Sequence, residues 1–70
     1  MSFLAYLIKR RYPSIKEFAA ECSVTRCTMY HYITGFRFPN TDNFMTIAEK
    51  LNITAEELYK NWYKEVNEYD

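Results

Sequence analysis

Five residues with short polar side chains, Ser2, Ser14, Thr25, Asn40 and Thr54, each stand just ahead of apolar residues that recur every three or four positions. An oxygen at such a position accepts from a free N–H of the first helical turn, so each one marks a helix start. The chain holds one glycine and two prolines, little material for hairpins. No alternating pattern competes with the helical spacing. The expectation is an all-α domain of five helices.

Ser2 opens the first, with Phe3, Leu4, Leu7 and Ile8 as its apolar stripe and Pro13 closing the Arg10-Arg11-Tyr12 end. Ser14-Ile15-Lys16-Glu17 is a capping box, in which hydroxyl and carboxylate satisfy backbone donors reciprocally. A short second helix follows, carrying Ile15, Phe18, Ala19 and Cys22. Thr25 caps a third that runs to Ile33 or Thr34, where Gly35 supplies the left-handed conformation that ends helices. Asn40 caps a fourth with Phe44, Ile47, Ala48 and Leu51 inward and Asn52 at its end. Thr54-Ala55-Glu56-Glu57 repeats the capping box and launches a fifth helix over 54–68, with Ala55, Leu58, Tyr59, Trp62, Tyr63 and Val66 in helical register.

Seventy residues make a single domain, 1–70, near the lower limit for a core without a staple. An aromatic share of 19% supplies the apolar bulk that such a short chain needs in order to fold. No run approaches the roughly 18 to 20 apolar residues of a membrane span, and the N-terminus lacks a signal-peptide pattern. The chain reads as cytoplasmic, without a membrane partner. Cys22 and Cys27 lack zinc-motif or redox-motif spacing and read as free thiols, so neither a metal nor a cofactor is expected. An accessible Cys27 would be open to oxidation.

Zero net charge hides a gradient. Residues 1–53 carry seven cations against four carboxylates, a balance of +3, and residues 54–70 carry two against five, a balance of −3. One basic working face and one acidic end are compatible with that division.

Two short helices joined by three or four residues, the second with a polar outer face, suggest a helix-turn-helix. From Ser14 to Leu58 the chain reads S-I-K-E-F-A-A-E-C-S-V-T-R-C-T-M-Y-H-Y-I-T-G-F-R-F-P-N-T-D-N-F-M-T-I-A-E-K-L-N-I-T-A-E-E-L. This stretch resembles the lambda repressor and Cro-like, or XRE, DNA-binding domains. The joint spacing of Ala19, Val24, Thr25, Gly35, Pro39, Ala48, Leu51 and Leu58 carries the resemblance. It implies a compact five-helix lambda-repressor-like bundle in which 25–33 is the recognition helix and enters the major groove of double-stranded DNA. By the same resemblance Arg26, Cys27, Tyr30 and His31 read base edges. Arg26 is the foremost of them, because a guanidinium binds guanine O6 and N7 bidentately. Ser14, Thr25, Thr28, Arg37 and Asn40 would hold phosphates, with Lys16 and the Lys9-Arg10-Arg11 cluster adding nonspecific attraction.

Three positions depart from that family pattern. Ile15 stands where relatives often place a phosphate-contacting Gln. Ser23 occupies a turn position often held by Gly. Ile8 and Ile33 replace an Arg–Glu pair, at little or no cost.

The fifth helix exceeds the family minimum. Its Tyr59, Trp62, Tyr63, Val66 and Tyr69 either cover the small core or form a homodimer seam, which would set two recognition helices roughly 34 Å apart on a palindromic operator. The expected function is therefore a transcriptional regulator, a repressor of phage, plasmid or mobile-element type. The competing expectation is a protein-interaction module of the same fold, an antirepressor or antitoxin with a protein partner. An enzyme is not expected, because the Cys27–His31 pair has no orienting acid or oxyanion site beside it.

Overall fold

The computed structural model describes residues 1–66. Five α-helices follow one another: α1 (Phe3–Arg11), α2 (Ile15–Glu21), α3 (Arg26–Thr34), α4 (Thr41–Lys50) and α5 (Ala55–Lys60). All five expected caps are made in the same way. Ser2 Oγ accepts from the Ala5 N–H at 3.2 Å, Ser14 Oγ from Glu17 at 3.1 Å and Thr25 Oγ1 from Thr28 at 3.0 Å; Asn40 Oδ1 accepts from Asn43 at 2.8 Å and Thr54 Oγ1 from Glu57 at 3.1 Å. The two capping boxes are only half formed, since among the described residues neither Glu17 nor Glu57 returns a bond to its cap.

Each helix contributes to one core: Leu4 and Ile8 from α1, Phe18 and Ala19 from α2, Met29 and Tyr32 from α3, Phe44, Ile47 and Ala48 from α4, and Leu58 from α5. Ile8 is fully buried and Ile33 is half-buried against that core, so both are apolar packing sites. Two tyrosine hydroxyls tie elements together at the margin. Tyr12 donates to the Lys50 carbonyl at 3.4 Å, and Tyr32 accepts from Asn43 Nδ2 at 3.2 Å. No helix among the described residues is long and apolar enough to cross a membrane.

The C-terminal end departs from expectation. The fifth helix stops at Lys60 and does not continue through Val66. Asn61 ends it, its side-chain amide donating to the Glu57 carbonyl at 2.9 Å, a side-chain alternative to the helical ladder. The chain then turns, with the Trp62 N–H bonded to the Tyr59 carbonyl at 3.3 Å and that of Lys64 to the Asn61 carbonyl at 2.9 Å. Beyond the turn it runs antiparallel to the N-terminus. Phe3 donates to the Lys64 carbonyl at 2.9 Å, Val66 to the Met1 carbonyl at 2.7 Å, and the Met1 ammonium to the Val66 carbonyl at 3.0 Å.

Candidate nucleic-acid interface

The α2–α3 connection depends on one backbone conformation. Ser23 adopts φ +59°, the left-handed region, so the turn tolerates a side chain there. A non-glycine residue bears roughly 1 to 2 kcal/mol for this geometry. The Val24 N–H then reaches back to the Ala19 carbonyl at 3.0 Å, and Val24 packs against the core. Thr25 follows as the cap of α3, and Gly35, at φ +80°, ends that helix.

Between these stops α3 has two unlike sides. Met29 and Tyr32 are buried, whereas Arg26, Cys27 and Tyr30 are exposed and His31 is half-exposed. Among the described residues Arg26 has no ion pair and no hydrogen bond, and the Tyr30 hydroxyl has no partner. His31 is more constrained: its Nε2 lies 3.8 Å from Cys27 Sγ, and its ring meets Phe36 at 4.9 Å between centroids. No local spacing in the sequence marks Phe36 for this contact. Phe36 reaches His31 because the left-handed Gly35 folds the loop back, and the Arg37 N–H bonds the His31 carbonyl at 3.1 Å.

The expected phosphate contacts differ in what their caps leave available. Ser14 and Asn40 use an oxygen as acceptor, and among the described residues each keeps a side-chain donor free. Thr25 Oγ1 donates to Thr28 Oγ1 at 2.9 Å, so the hydroxyl hydrogen left over in that pair belongs to Thr28. Lys16 and Arg37 are exposed. Arg10 is held on Tyr6, by a 3.2 Å hydrogen bond to the hydroxyl and by its guanidinium carbon 5.4 Å from the ring centre. Arg10 and Arg11 line a shallow groove with Leu51, Asn52 and Ile53, to which no α3 residue contributes.

The five aromatic and apolar residues of the expected dimer seam do not form one stripe. Trp62 is 3% exposed, with its ring 4.9 Å from Phe38 and 5.5 Å from Phe44, so it is a core residue and not a seam anchor. Val66 is half-buried and paired with Met1. Tyr59 and Tyr63 are exposed, but Tyr59 lies by Phe38 whereas Tyr63 lies by Gly35. Tyr69 lies outside the described residues. The cause of the separation is the stop at Lys60, which ends the helical register that would have aligned them.

Both cysteines are free. Cys22 is buried and Cys27 exposed. Burial pushes the Cys22 thiol up from 9.0 to about 11, outweighing the opposing influence of Lys50. Among the described residues no group of three or more His, Cys, Asp or Glu side chains is placed to hold a metal ion. Comparison with protein-family models, curated proteins and solved structures gives no match to this chain.

Proposed function

We propose that this protein is a small sequence-specific regulator that binds double-stranded DNA, a helix-turn-helix protein of the lambda repressor and Cro-like kind. In this reading α2 and α3 form the helix-turn-helix and α3 enters the major groove. The observation that carries it is the outward face of α3: Arg26, Cys27 and Tyr30 stand exposed opposite the buried Met29 and Tyr32, and Arg26 has no partner among the described residues. A long cation held by nothing else can reach a guanine edge without first breaking an internal bond. Thr28, Arg37, Asn40 and Ser14 supply donors for phosphates, and Lys16 adds charge. In this reading the protein represses by occupying an operator and excluding polymerase.

The test is selection of bound sites from random duplex DNA, followed by salt titration. With Arg37 and Lys16 as the cations on phosphate, log affinity should fall against log salt with a slope of about −2. Arg26→Ala should cost roughly 1 to 3 kcal/mol of discrimination at one base position. A chain that enriches no sequence, or an Arg26→Ala variant that selects the same sequences with equal affinity, refutes the reading. A second reading, a protein-interaction module of the same architecture, draws support from the exposed rings of Phe38, Tyr59 and Tyr63. It predicts partner binding that Arg26→Ala leaves unchanged and Tyr59→Ala weakens.

A further inference from the structure

The helix α3 carries no Asp, Glu, Asn, Gln or Lys. Arg26 is therefore its one side chain fitted to the bidentate readout of guanine, and nothing on it matches the paired edge of adenine or accepts strongly from the amino group of cytosine. Past Arg26 the outward face continues as a strip of thiol, imidazole and phenyl. Cys27 Sγ lies 3.8 Å from His31 Nε2, and the His31 ring lies 4.9 Å from that of Phe36 in the loop behind the helix. We propose that Cys27, His31 and Phe36 together read the C5-methyl groups of thymine, and that Phe36, outside the helix, determines specificity at one base pair. The inference rests on the DNA-binding reading above and names the class of sequence that reading leaves open.

Phe36 is 73% exposed although its ring meets His31, so most of the phenyl surface faces solvent. The backbone holds it there. Gly35 turns the chain at φ +80°, and the Arg37 N–H is bonded to the His31 carbonyl at 3.1 Å. Arg37, the next residue, is exposed and can grip a phosphate while the phenyl ring rests on base edges. The strip has little hydrogen bonding to offer those edges: His31 Nε2 is turned to Cys27 Sγ, a thiol is a weak donor, and a phenyl ring has no donor at all. Apolar contact with a methyl group is the readout that remains.

The dimensions limit how much sequence such a strip covers. Cys27 and His31 are one turn apart, a rise of about 6 Å. The centre of the Phe36 ring lies at most a further 4.9 Å away. Against a spacing of roughly 3.4 Å per base pair, the strip meets about two or three neighbouring pairs. Thymine presents its methyl in the major groove from either strand, so these pairs should be A·T or T·A, beside the guanine met by Arg26. A methyl removed from water there strengthens binding roughly fourfold.

The full chain first selects its preferred duplex from random sequence. Each selected thymine is then replaced by uracil, which keeps every hydrogen-bonding group and lacks only the methyl, and affinity is measured for the unaltered chain, Phe36→Ala and Phe36→Leu. The expected result is a half-site with neighbouring A·T pairs, in which uracil costs the unaltered chain roughly fourfold at each of about two or three positions. At one of them Phe36→Ala should no longer distinguish uracil from thymine, whereas Phe36→Leu, still apolar, should. The ring is exposed, so helical circular dichroism should be the same in all three chains. A selected site without neighbouring A·T pairs, equal affinity for uracil and thymine duplexes, or undiminished uracil sensitivity of Phe36→Ala at every position overturns the proposal and leaves the regulator reading standing. A chain that enriches no duplex overturns both.

Discussion

Truncation of Trp62 separates the two roles that its position in the sequence allowed. The ring is 3% exposed and packs on Phe38 and Phe44, and the segment that follows it pairs with the N-terminus. Replacing a buried Trp by Ala costs about 3 to 5 kcal/mol through lost burial and the cavity left behind. A domain of this length has a total stability of roughly 4 to 10 kcal/mol. Trp62→Ala should therefore leave the chain barely folded, while Trp62→Phe, which keeps an aromatic contact with Phe38 and Phe44, should cost about 1 to 2 kcal/mol. With a urea dependence of about 1 kcal/mol per molar, Trp62→Phe lowers the midpoint by about 1 to 2 M. Circular dichroism at several protein concentrations reads both variants. A Trp62→Ala chain that unfolds at the original midpoint, with only its sedimentation altered, would show that the ring anchors a dimer and would refute its place in the core.

Arg26→Ala, removing a side chain with no internal partner among the described residues, should change stability by less than about 0.5 kcal/mol, so any loss of DNA affinity is a loss of contact. A shifted urea midpoint would mean that the side chain is structurally engaged. Gly35→Ala should cost about 1 kcal/mol, because the residue holds φ +80° while an added Cβ meets only Tyr63 Cε1, at an ordinary 3.9 Å. Gly35→Asn should cost less, and equal denaturation curves for both variants and the parent would contradict the left-handed cap. Thr25→Ala removes the α3 cap and the Thr28 contact together, for an expected loss of about 1 kcal/mol in the same assay. The buried Cys22 thiol, raised to about 11, holds its proton more tightly folded than unfolded, so its contribution to stability is complete below pH 9 and is lost as pH rises toward 11. Between those values the parent should lose stability faster than Cys22→Ala, and parallel pH profiles would contradict the assignment.

Most of α1 to α4 was legible because helix starts are local events. A hydroxyl or amide oxygen needs only an N–H three residues on, and all five caps form where the sequence places them. The same holds for Gly35, and for the inward positions of Met29 and Tyr32, which follow from helical period alone. Asn61 was the overlooked local signal. It stood inside an apolar register that otherwise ran to Val66, and it is the residue at which the helix ends.

What the sequence determined by itself is a set of helices, their starting points and the side of α3 that carries Arg26, Cys27, Tyr30 and His31, since contacts within four residues govern each of these. Tertiary structure decided the rest. Trp62 became core because Phe38 and Phe44, both distant from it in the sequence, pack around it. Val66 left the helical register to bond Met1, 65 residues away. Those outcomes depend on the free energy of contacts between distant segments, a quantity that no local spacing encodes.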